Sequence, residues 1–146
     1  MGMNNQLLVA DVTDAGEIAA HDDPSREWDG FLCRGLDRIK LVALWALIEA
    51  GSTHDRSDHR MDAIQKIAEG DAGPWVDVLP STMVSALASL AAMDNDEIAR
   101  LAAPLCRMED FDDWTHDEIS DLIRSIGDQA ETASIQGKTL MVYTSH

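Results

Sequence analysis

The sequence predicts an all-α domain of about five helices in a compact bundle, with a minor two-stranded β element made from the two termini. Apolar residues recur at three- and four-residue spacing through most of the chain, and two helix-start signals carry a glutamate three residues after the cap. Only one short stretch at each end reads as a candidate strand. With 146 residues, 45% of them hydrophobic, the chain can bury a core without a metal or disulfide staple. It is expected to form one domain over residues 1–146, with 1–22 peripheral or mobile.

Residues Gln6 to Thr13 (QLLVADVT) suit a short strand and Asp14 to Ala20 a helical turn. Asp22-Asp23-Pro24 has the make-up of a helix start, a carboxylate followed by proline at the first helical position. Trp28, Leu32, Leu36 and Ile39 then fall at helical spacing, and 41–48 is apolar nearly all round, as in a helix packed on several sides. The expectation is a helical segment over 24–50, weakened at Gly30 and Gly35 so that it reads as one helix or two, and stopped by Gly51.

A polar loop, Ser52 to Asp58, leads to a helix over 61–70 with Met61, Ile64, Ile67 and Ala68 inward. Asp71 to Pro74 is a turn by composition, and Trp75, Val76, Val78 and Leu79 form a short apolar link before Pro80. A helix over 81–93 follows, striped by Met83, Val84, Leu87 and Leu90. Asp94 with Glu97 resembles a capping box, and Thr115 with Glu118 matches one outright. The first opens a helix that Pro104 breaks or kinks; the second opens a helix carrying Ile119, Leu122, Ile123 and Ile126, ending at Gly127 or near Ser134. Thr139 to Thr144 (TLMVYT) is the second strand, and the two end strands are expected to pair so that neither leaves its backbone unsatisfied.

Charge carries the functional signal. The chain holds 27 acidic residues against 11 Lys and Arg, for a net charge of −16. Residues 1–30 contribute seven acids and one arginine, and residues 94–131 contribute twelve acids and three arginines. Such a surface repels phosphate backbones and anionic lipid and attracts basic protein. The expected partner is therefore a basic protein, with no direct nucleic acid and no membrane. An acidic composition also serves plain solubility.

The longest apolar run, Leu41 to Ile48, is too short to cross a bilayer, and the first cation is Arg26, so no basic signal-peptide region leads the chain. The protein is expected in the cytoplasm. Cys33 and Cys106 stand far apart without CxxC spacing; they suit buried reduced thiols, with a bridge between them left open.

Two clusters are dense enough to carry chemistry. His54, Asp55, Asp58, His59 and Asp62 place imidazoles and carboxylates on shared helix faces, the make-up of a divalent-metal site, although Arg56 and Arg60 would lie beside the cation. The same residues suit a solvated helix start. The second cluster is Glu109, Asp110, Phe111, Asp112, Asp113 and Trp114. Aromatic anchors ringed by carboxylates fit a basic partner; an acidic loop whose Phe111 and Trp114 tuck into the core fits the same letters. No phosphate loop, GxSxG or HExxH is present.

These residues point to a non-enzymatic, acidic protein-binding module, in the physical category of inhibitors and immunity proteins that occupy a nucleic-acid-binding groove. The two acidic stretches are expected to merge on one surface, with Glu109 to Trp114 as the partner-binding segment and no cofactor or bound metal. The rival reading is a small helical metal-dependent hydrolase built on His54, Asp58, His59 and Asp62. A homodimer through an apolar surface is a third.

Overall fold

The central element is an antiparallel sheet of five strands, described in a computed structural model covering residues 4–51, 60, 62–68 and 73–145. This overturns the all-α expectation: the fold is mixed, with five α-helices among the described residues. The strands are β1 (Asn4–Ala10), β2 (Gly30–Leu32), β3 (Gln65–Ala68), β4 (Trp75–Val78) and β5 (Thr139–Ser145), in spatial order β2-β1-β5-β4-β3. The two end strands do pair, from Asn4 with Ser145 to Ala10 with Thr139. They form the middle of the sheet and not a minor two-stranded appendage, because β2 joins the free side of β1 and β4 joins the free side of β5.

The helices are α1 (Ala15–Ala19), α2 (Arg38–Ala50), α3 (Ser81–Ala88), α4 (Asn95–Cys106) and α5 (His116–Gln136). Side chains alternate across a strand, and the sheet uses both faces. Leu7, Val9, Leu140 and Val142 turn to one face and share the main core with Leu41, Leu44, Leu87, Ile98, Ile119 and Ile123 from α2 to α5. Leu8, Ala10, Val76, Met141 and Tyr143 turn to the other and pack on Ala15, Ile18 and Ala19 of α1. The result is three layers, α1 on one side of the sheet and the remaining helices on the other. Leu7, Leu8 and Ala10, inside the stretch 1–22, are fully buried.

Three local expectations fail for identifiable reasons. Within 24–50, Pro24–Arg26 is a 3-10 turn, Gly30–Leu32 is β2, and the helix begins only at Arg38, where the Asp37 carboxylate accepts from the Lys40 backbone N–H at 3.0 Å. Gly30 is fixed by close approach: a Cβ there would collide with the Leu7 carbonyl across the β1–β2 pair. Of the helix expected over 61–70, Gln65–Ala68 is instead β3, paired to β4. The apolar link at Trp75 is β4 itself, with Val76 and Val78 on the α1 side and Asp77 on the other.

The capping signals appear where their residue types place them. Asp94 accepts from the Glu97 N–H at 2.9 Å. Thr115 Oγ1 accepts from the Glu118 N–H at 3.1 Å while Glu118 Oε1 accepts from the Thr115 N–H at 3.0 Å, so both orphan donors are satisfied. Pro104 lies in the last turn of α4, which ends at Cys106. α5 runs through Gly127, which packs tightly on Leu90, and stops at Gly137, whose φ of 68° is the left-handed conformation that terminates helices. Among the described residues, no helix is long and apolar enough to cross a membrane.

Candidate acidic interface and a polar pocket

The acidic segment expected to meet a partner joins α4 to α5. Its first half is a 3-10 turn, Glu109–Phe111, and the chain then enters the Thr115 cap. Glu109, Asp112 and Asp113 are exposed and Asp110 is half-buried. Phe111 is 2% exposed and belongs to the main core. Its ring meets Trp114 edge-on at 5.9 Å, and Lys40 Nζ lies 5.6 Å from its centroid. Trp114 is half-buried against the same core. Phe111 is thus a packing residue that holds Trp114 in place, and the indole is the aromatic part of the segment that reaches the surface.

The segment is continuous with a larger charged layer. Of the twelve carboxylate residues between 94 and 131, eleven are exposed, on the outer faces of α4, the connecting turn and α5. Two groups sit at helix starts, Asp94, Asp96 and Glu97 on α4 and Asp117 and Glu118 on α5, where the positive end of the helix dipole favours them. Hydrogen bonding from Thr115 holds the Glu118 carboxyl below the usual glutamate range. Arg124 lies 3.9 Å from Asp121 and also donates to Asn95.

The acids near α1 do not join this layer. Asp11, Glu17 and Asp22 are exposed in and beside α1, whose Ile18 packs on the opposite face of the sheet from α4 and α5, whereas Asp29 lies opposite Val9 on the main-core side. The sheet separates the acids near α1 from the α4–α5 layer, so the expected merged patch is divided. Within the α1 layer Asp23 accepts from Ser25 Oγ at 2.7 Å and Gln6 Nε2 at 3.0 Å, and these bonds hold its carboxyl low. Tyr143 donates to the His21 carbonyl at 2.7 Å, and burial pushes its phenol up.

Of the expected metal cluster, His54, Asp58 and His59 lie outside the described residues, and Asp62 is exposed. Among the described residues no group of three or more His, Cys, Asp or Glu is placed to hold a metal ion. Cys33 and Cys106 are free and half-buried; burial pushes the Cys33 thiol up, partly offset by the charge of Lys40.

A second constellation escaped the sequence reading. Where α2 begins over the sheet, Asn5, Asp37, Arg38, Lys66, Trp75, Asp77 and Thr144 line a pocket of about 240 Å³. Arg38 Nη2 donates to Asp77 Oδ1 at 2.6 Å, with side chains 28% and 12% exposed. Asn5 donates to Thr144 Oγ1 at 2.9 Å and accepts from the Gly35 N–H at 3.0 Å. Lys66 Nζ sits 5.3 Å from the centroid of Trp75. One signal was available: an aspartate inside the apolar run Trp75 to Leu79 is a carboxylate bound for burial, which requires a cationic partner. No protein-family model, curated protein or solved structure matches the chain.

Proposed function

We propose that this chain is a non-enzymatic protein-binding module whose α4–α5 layer receives a basic protein surface. The observation that supports this reading is the exposure of eleven of the twelve carboxylate residues in 94–131, against three arginines in the same stretch. Exposed carboxylates on one layer steer a cationic partner from a distance and accept its Lys and Arg side chains at contact. Trp114 supplies an amphipathic anchor amid the charge, held by Phe111 beneath it. A basic groove built for phosphates has the complementary charge, so a nucleic-acid-binding enzyme or toxin is the class of partner, and the role is that of an inhibitor or immunity protein. Two free thiols suit a reducing compartment, and we place the activity in the cytoplasm on that ground.

The test is association kinetics against a panel of immobilised basic nuclease domains, with poly-lysine as a non-specific reference, across ionic strength. At least one domain should bind more tightly than poly-lysine, with an on-rate that falls steeply with salt. Replacing Glu109, Asp110, Asp112 and Asp113 by Gln or Asn should lower that on-rate and flatten the salt dependence. Unchanged rate and slope in the fourfold variant, or no preference over poly-lysine, contradicts the proposal.

A further inference from the structure

We propose that the pocket under the start of α2 binds a small organic carboxylate between Arg38 and Lys66, against the indole of Trp75. None of its lining residues belongs to the Glu109 to Trp114 segment, and the proposal does not depend on the protein-binding reading.

Its charge balance runs opposite to that of the molecule. Asp37 is committed to the fold: one oxygen caps α2 through the Lys40 N–H at 3.0 Å and the other lies 3.5 Å from Lys40 Nζ, so that this pair cancels. Asp77 is 8% exposed, bonds Arg38, and stands directly across the β3–β4 pair from Lys66. Opposed residues in an antiparallel pair have Cβ atoms about 5 Å apart. Among the described residues two cations therefore flank one carboxylate, leaving a surplus of one positive charge there in a chain of net charge −16. Arg38 is met by Asp77, and the exposed ammonium of Lys66 is the charge that can receive an anion arriving from solvent.

The donors are arranged to meet one. A guanidinium carries five N–H donors, and the Asp77 contact engages Nη2 of Arg38. The ring of Trp75 holds the Lys66 ammonium at the pocket, where a lysine on an edge strand would otherwise sweep through solvent. Asn5 and Thr144 satisfy each other at 2.9 Å and supply a neutral polar floor. A single surplus charge matches a monoanion, whereas a dianion would be repelled by Asp77. The indole wall and the volume of about 240 Å³ suit a ring-sized apolar body on that anion.

The experiment is a two-dimensional amide NMR titration of the full chain with sodium benzoate, alongside benzamide and inorganic phosphate. Benzoate should shift amides of residues 36–39, 66 and 75–77 and saturate in the millimolar range, while neutral benzamide should not and phosphate should bind more weakly. Lys66→Met, at an exposed position, should weaken benzoate by about tenfold, the loss of one charge-assisted hydrogen bond, and Lys66→Arg should restore it. Asp77→Asn should tighten it, since the competing carboxylate is gone; a purely structural ion pair predicts no such gain. Shifts that are scattered and non-saturating, an equal response to benzamide, tighter binding of phosphate, or unchanged affinity in Lys66→Met would each overturn the proposal.

Discussion

Truncating Asp77 to alanine removes the carboxylate that Arg38 meets at 2.6 Å and leaves a guanidinium only 28% exposed without its partner. Breaking a fully buried ion pair costs about 3–5 kcal/mol, and a charge-assisted hydrogen bond contributes about 1.5–3 kcal/mol. Water still reaches Arg38, which places Asp77→Ala at about 2–3 kcal/mol. With a urea m-value of about 2 kcal/mol/M, the midpoint should drop by about 1 M or more. Arg38→Met should cost less, because Lys66 across the strand pair still faces the orphaned carboxylate. In the double variant Arg38→Met/Asp77→Ala neither charge remains, so its cost should fall short of the summed single costs by about 1–2 kcal/mol. Urea unfolding followed by far-UV circular dichroism measures all three. A coupling below about 0.3 kcal/mol would refute the claim that this pair acts as a buried unit at the start of α2.

Glu118, whose carboxyl is held low by Thr115, contributes stability that is present above the ordinary glutamate range and is lost as pH falls through its lowered folded value. Glu118→Gln should therefore narrow the gap between urea midpoints at neutral and strongly acidic pH, and an unchanged gap would count against the capping box as its source. Gly127→Ala places a Cβ 2.8 Å from Leu90 Cβ and 3.2 Å from the Ala91 amide nitrogen, so it should destabilise by about 1–3 kcal/mol despite the better helix propensity of alanine; a stabilised variant in thermal melts would show that α5 and Leu90 are not in that contact. Cys33, with its thiol pushed up by burial, should react with iodoacetamide at mildly alkaline pH more slowly than a free thiol. Peptide mass spectrometry reads the rate, and labelling as fast as glutathione would contradict the burial.

What the sequence disclosed was local. The Thr115–Glu118 box, the Asp94 cap and the stripe Ile119, Leu122, Ile123 and Ile126 need only neighbouring residues to be recognised, and α5 forms around them. The apolar runs Leu7 to Ala10 and Leu140 to Tyr143 made a fair match to short strands, and strands that cannot stand alone had each other as partners. β3 and β4 were hidden because each is only four residues long, and the strand that ties the pair into the sheet, β5, lies at the far end of the chain. Ile64, Ile67 and Ala68 happen to match helical spacing, and nothing within that window reports that Val76 will lie opposite Ile67. β2 was masked in the same way by Trp28, Leu32 and Leu36, while the glycine at 30, taken as a weak point in a helix, marks the close approach to Leu7. Missing the sheet had a consequence for the site: without a layer to divide them, acids at 11–29 and 94–131 were free to be imagined as one patch. The pocket around Arg38 stayed hidden because β1, β3, β4, β5 and α2 each contribute to it.

The most direct test of the proposed role compares two variants of equal charge change. One neutralises Glu109, Asp110, Asp112 and Asp113 on the α4–α5 side; the other neutralises the exposed Asp11, Glu17, Asp22 and Glu27 on the α1 side. On-rates at low salt to the best basic nuclease domain should fall in the first and stay near the parent value in the second. Equal slowing in both would mean that net charge alone governs the encounter, and that the helical layer is no interface.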